Sequence, residues 1–168
     1  PPATLTSTPD RPEGGAPSAT AMRVTVPTAL PMAMSQDGDV TTANNCQIVN
    51  HSYGAVRVKS VSITAASGWK LTAFGNKSIL AGEKVDSNKL GFAISIGGGQ
   101  RRATDASNAN NQTLIDAPIA GCYMTGAGDS TGNTAKIDYA AIVTPLSSAV
   151  TGATVANVVF IVEWDTAA

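Results

Sequence analysis

The chain has little charge and little aromatic surface. Charged residues make up 14% of its 168 residues and aromatics 5%, whereas an ordinary soluble domain carries roughly 25% charged residues. Lys and Arg total 11 and Asp and Glu 12, a formal net charge of −1. Beyond Arg101-Arg102 there is no basic cluster, so binding nucleic acid by counterion release has nothing to work with. The same near-neutrality leaves little self-repulsion to oppose association of like chains. His51 is the only histidine, and with Cys46 and Cys122 it falls short of a metal ligand set. Glu13, Glu83 and Glu163 are the only glutamates, and their spacing marks no acid pair for glycoside hydrolysis. No apolar run approaches the roughly 18–20 residues that span a bilayer as a helix. The longest, Val155–Trp164, is interrupted by Asn157 and Glu163. No window supports a long amphipathic helix, although 146–150 has room for one turn.

The groups that remain do not assemble into known catalytic patterns. His51 sits in an Asn-His-Ser-Tyr-Gly turn, and no G-x-S-x-G elbow exists to supply a nucleophile. It reads as a polar turn residue. Asp37-Gly38-Asp39 lacks the EF-hand spacing and reads as a hairpin tip. Gly97-Gly98-Gly99 lacks the Gly-Lys-Ser/Thr context of a phosphate loop and reads as a flexible tip. Asn-x-Ser/Thr triplets occur at Asn50, Asn76 and Asn111. Trp69 and Trp164 lie in apolar runs and read as core; the alternative is a sugar-binding face shared with Tyr53. No catalytic residue, metal or cofactor is expected, and the chain does not read as an enzyme.

Cys46 and Cys122 lie far apart, a spacing that fits one disulfide closing a long loop in a secreted protein. Such a bridge would contribute about 3–4 kcal/mol by restricting the unfolded chain. The alternative is two buried free thiols.

The chain divides into an extended proline-rich segment, 1–21, and a β-sandwich domain, 22–168. It opens on Pro1-Pro2, which leads us to expect a processed or trimmed product, removal of a signal peptide being one route to it. The first twenty residues, PPATLTSTPDRPEGGAPSAT, are linker-like and bury too little apolar surface to order alone. Within them Ala3, Leu5 and Ser7 share one face if the backbone is extended. The body is a series of short strands separated by turns. Met22–Val26 alternates, and Pro27 and Pro31 mark a bent edge. Cys46–Asn50 is a strand, and so is Ala55–Ile63. In the latter Val56 and Val58 have opposite parity to Val61 and Ile63; a bulge near Lys59-Ser60 would bring both pairs to the core, and the alternative is a strand buried on both faces. Trp69, Leu71 and Ala73 alternate. Leu90, Phe92, Ile94 and Ile96 point inward with Gly91, Ala93 and Ser95 outward. Residues 97–113 form a long polar loop. Ile137, Tyr139, Ala141 and Val143 share a face. The last strand is apolar on both faces, with Val158, Phe160 and Val162 on one and Val159 and Ile161 on the other, so it is central or meets a partner. This pattern predicts an all-β antiparallel sandwich or jelly roll.

The run VTVPTALPMAM, the hairpin DGDVTTANNCQIVN, the segment HSYGAVRVKSVSIT, a Gly-Trp and the closing ANVVFIVEWD resemble secreted cell-surface β-domains of Gram-positive bacteria and actinobacteria. The likeness covers residues 22–75 and 154–165. More distantly the layout is similar to the TasA/camelysin-like fibre proteins. That resemblance implies a jelly roll that polymerises by donating an N-terminal strand to a neighbour. Cys46 stands where those domains have a small residue.

The expected function is therefore a secreted structural subunit of an extracellular filament or pilus, such as one of a biofilm matrix. Ala3, Leu5 and Ser7 would form the donor segment, and Val158 to Val162 (Val158, Val159, Phe160, Ile161, Val162) the acceptor or central strand. Its partner would be a further copy of itself, head to tail. Nucleic acid and a membrane span are not expected. The rival is a cell-surface adhesin or carbohydrate-binding module that meets host or matrix glycans through loops 97–113 and 125–134.

Overall fold

A computed structural model describes residues 2–9 as backbone, and residues 21–150 and 153–165 with their side chains. In chain order its elements are β1 (Pro2–Pro9), β2 (Val24–Thr25), β3 (Ala29–Met34), β4 (Val40–Thr42), β5 (Gln47–Asn50), β6 (Val56–Ala65), β7 (Lys70–Leu71), the helical turn α1 (Ser78–Ala81), β8 (Lys89–Ile96), β9 (Arg102–Ala103), β10 (Asn111–Ile115), β11 (Tyr123–Met124), β12 (Thr134–Val143) and β13 (Ala156–Trp164). The protein is an all-β sandwich. One sheet has seven strands in the order β10-β6-β13-β1-β3-β4, with β11 also pairing β6. The other has six in the order β2-β5-β12-β8-β7, with β9 also on β8. Pairing is antiparallel except between β1 and β13 and between β7 and β8.

The core follows from period-two alternation. In β3 Leu30, Met32 and Met34 are buried, and Pro31 and Ala33 between them are exposed. Ile48, Phe92, Ile94, Ile96, Ile137 and Tyr139 of the six-stranded sheet join Val56, Val58, Val61, Ile63, Val158 and Phe160 of the other in one apolar cluster. The two layers are also tied by a polar contact. The Tyr139 hydroxyl donates to the Pro31 carbonyl at 2.5 Å and accepts from the Ala43 N–H at 3.1 Å.

The parity break in β6 is a bulge. Ile161 lies opposite Ser60 and Val162 opposite Val58, so Lys59 is skipped. That one extra residue brings both valine pairs to the core face, and Val56, Val58, Val61 and Ile63 are all buried.

Other expectations are corrected. Cys46 and Cys122 are both buried free thiols, and no disulfide joins them. They belong to different neighbourhoods. Cys46 leads into β5 and lies beside the Tyr139 hydroxyl, whereas Cys122 leads into β11 and its backbone carbonyl accepts from the Val58 N–H. The helical turn is at Ser78–Ala81, while 146–150 is irregular. The strand expected around Trp69–Ala73 shrinks to Lys70–Leu71. Pro31 is not at an edge, because β3 lies between β1 and β4. Pro31 stands opposite Pro2, so two residues without an N–H share a single rung. Gly91 and Ala93 of β8 keep the outward parity but are buried, because that face is covered: a Cβ on Gly91 would lie 2.8 Å from the Ala73 carbonyl. Residues 97–113 are not an open loop. Arg102–Ala103 pairs with β8, and the Gln112 side chain bonds to the backbone of Asp105 and Asn108. The glycine run packs closely on residues 120–121, where a Cβ on Gly99 would lie 2.1 Å from the Ala120 carbonyl.

Candidate functional site

β13 has the composition of a strand covered on both sides. Val158, Phe160 and Val162 are buried, and Val159 and Ile161 are half-buried. One long edge of it is taken by β6. The other is taken by β1. Thr4 to Pro9 run parallel to it, in register with Asn157 to Val162. On its far side β1 pairs antiparallel with β3, through Pro2, Ala3 and Thr4 opposite Pro31, Leu30 and Ala29. The N-terminal strand therefore fills a slot between β13 and β3, which have no pairing with each other in the sheet order.

Each predicted donor residue has a place in that slot. Ala3 is level with Leu30, Leu5 with Val158 and Ser7 with Phe160. The partners Leu30, Val158 and Phe160 are all fully buried. Thr4, Thr6 and Thr8 are level with Asn157, Val159 and Ile161 on the half-buried parity. The flanking backbone carries no formal charge across Asn157–Val162 or Ala29–Pro31. Charge begins just beyond it. Glu163 accepts from Arg57 Nε at 2.5 Å, and Asp165 lies 3.4 Å from the same guanidinium. The carboxylates beside it hold the Arg57 guanidinium above its ordinary range. Such a slot recognises main chain and shape, not charge.

The sheet edges are built differently. β4 has three residues and β10 five, and β2, β7, β9 and β11 have two each. Short edge strands block edge-to-edge addition. The long strands β6, β8, β12 and β13 are all interior.

The remaining candidates come apart. No group of three or more His, Cys, Asp or Glu side chains is placed to hold a metal ion among the described residues. The Asp39 carboxylate pairs with Lys77. Gly38 takes φ +82°, as the hairpin tip requires. Trp69 and Trp164 pack against the core, whereas Tyr53 is 91% exposed. Asn50 is fully buried, and its side chain is committed to Gly54, Thr125 and Ser52. The flank that sequence reasoning missed is β3. Its alternation of Leu30, Met32 and Met34 was legible, but Pro31 argued for an edge. No protein-family model, curated protein or solved structure matches this chain.

Proposed function

We propose that this chain is a secreted structural subunit that assembles head to tail into an extracellular filament, each copy placing residues 2–9 in the slot of the next. The observation that carries the reading is the interior position of β1, held by main-chain pairing to β13 on one side and β3 on the other. A terminal strand of this kind can be exchanged between copies with the same contacts inside and between chains. The run from Asp10 to Thr20, which contains two Pro and two Gly, has the composition of a linker. Short strands at every other edge leave the slot as the favoured place for strand addition. The near-neutral charge and the resemblance to TasA/camelysin-like fibre proteins agree with this reading.

The pair Thr6→Cys and Val159→Cys tests it, because Thr6 is level with Val159. Oxidised assemblies of the double variant are expected to run as a ladder of covalent multimers on a non-reducing gel. A single cross-linked monomer band from the same assemblies would overturn the proposal, since each strand would then be seated in its own chain.

The rival adhesin reading is favoured by one observation, the exposure of Tyr53 beside the 125–134 turn. Its other loop, 97–113, is closed on itself by the Gln112 contacts.

A further inference from the structure

A surface cleft of about 590 Å³ opens between the start of β2 and the turn after β5, within the roughly 300–1,000 Å³ range of small-ligand sites. Arg23, His51, Tyr53, Ala127 and Gly128 line it, with Ser52 at its floor. The backbone beneath is clamped. The Ser52 hydroxyl accepts from the Arg23 N–H at 2.7 Å, and the Arg23 carbonyl accepts from the His51 N–H at 2.7 Å. The Ser52 carbonyl accepts from the Ala127 N–H at 2.8 Å. Gly126 lies so close that a Cβ there would be 2.0 Å from the Tyr53 carbonyl. Buried Asn50 locks the turn from below through Gly54, Thr125 and Ser52.

On this fixed backbone the Tyr53 ring is left in solvent, 91% exposed. An exposed aromatic ring at the mouth of a cleft offers a flat apolar face with a polar tip, suited to stacking on the C–H face of a pyranose. Arg23 carries the one formal charge among the lining residues, and among the described residues no acidic side chain lines the cleft. Asp129, in the adjoining turn, spends its oxygens on Thr125, Thr131 and Gly132. No ion pair engages the Arg23 guanidinium among the described residues, and a planar guanidinium matches a carboxylate by two parallel hydrogen bonds. We infer that this cleft binds an acidic sugar, a pyranose carrying a carboxylate, stacked on Tyr53 with its carboxylate on Arg23. The site lies apart from β1 and does not rest on strand exchange.

The test uses saturation-transfer NMR and calorimetry on the full chain. The probes are a glucuronate-containing tetrasaccharide and the neutral glucose tetrasaccharide of the same linkage. Binding of the acidic sugar is expected, with at least a tenfold loss in Tyr53→Ala. Arg23→Gln is expected to abolish the preference for acidic over neutral sugar. Both side chains project outward, so both variants should fold, as thermal melting would report. The inference is overturned if neither sugar binds, if the wild type shows no acidic preference, or if Tyr53→Ala binds as tightly as wild type. Assembly is expected to be unchanged in Tyr53→Ala, which separates this outcome from that of the filament proposal.

Discussion

Ser7 stands level with Phe160, on a strand that runs in the same direction as the last strand of the chain. Phe160 is fully buried, so the first and last strands of the described residues meet at the centre of the sandwich. An N-terminal segment whose composition argues for disorder is thus held by main-chain pairing on both sides.

Removing residues 1–9 is therefore expected to cost stability, and with it the proposed assembly. Each ladder hydrogen bond contributes about 0.5–1.5 kcal/mol, so the loss should be on the order of 5 kcal/mol. For a domain of this size that is roughly 10–20 °C in Tm. A synthetic peptide of residues 2–9 added in trans should restore much of it. Thermal melting with and without the peptide checks this, and a truncated chain as stable as the parent would contradict the interior position of β1.

Asn50→Ala should destabilise the protein by about 2–3 kcal/mol, because it leaves buried groups of Gly54, Thr125 and Ser52 without their partner. Urea titration measures the loss. The same burial makes Asn50 a poor glycan acceptor despite its Asn-His-Ser triplet, whereas Asn76 and Asn111 are exposed. Peptide mapping after expression in a glycosylating host should find sugar, if any, only at the latter two.

Burial pushes both thiols above their ordinary range, which makes them slow nucleophiles. Native protein should leave a thiol reagent unreacted, and unfolded protein should titrate two thiols per chain. Melting curves with and without reductant should coincide. A titration of zero thiols after unfolding would show that the cysteines are bonded.

Tyr139 sets an alkaline limit. Burial, the larger influence, pushes its phenol up to about 12 from an ordinary 10, against the opposing Ala43 N–H. The folded pKa is raised, so the contribution is fully present below pH 10 and is lost as pH rises toward 12. The buried thiols act in the same direction. Tyr139→Phe, which forfeits the bonds to Pro31 and Ala43, should be less stable at neutral pH. Its stability should also fall less steeply between pH 10 and 12, and a slope equal to that of the parent would rule Tyr139 out as the source.

Much of the layering was legible in the residues. The valine parity of Val56 to Ile63 located the Lys59 bulge, and the two-faced apolarity of Val158 to Val162 matches a strand with neighbours on both sides. What was not legible depended on contacts distant in sequence. Pro31 signals an edge locally, yet the residue opposite is another proline, Pro2, and neither needs a donor. Gly97 to Gly99 suggest freedom locally, yet the 120–121 backbone sits against them. The cysteine spacing suits a disulfide, yet β5 and β11 carry the two sulfurs to different sheets. The Tyr53 cleft needs Arg23, His51 and Gly128 brought together by the fold, and no sequence window contains all of them.

The parallel run of β1 against β13 also has a mechanical meaning. A load applied along the axis of β1 pulls its rungs in shear, so those to β13 and β3 must fail nearly together instead of unzipping one by one. The same strand peeled sideways would part rung by rung under far less force. A joint of this geometry resists tension along the strand and yields to a transverse pull, a directional strength that depends on backbone register and not on any single side chain.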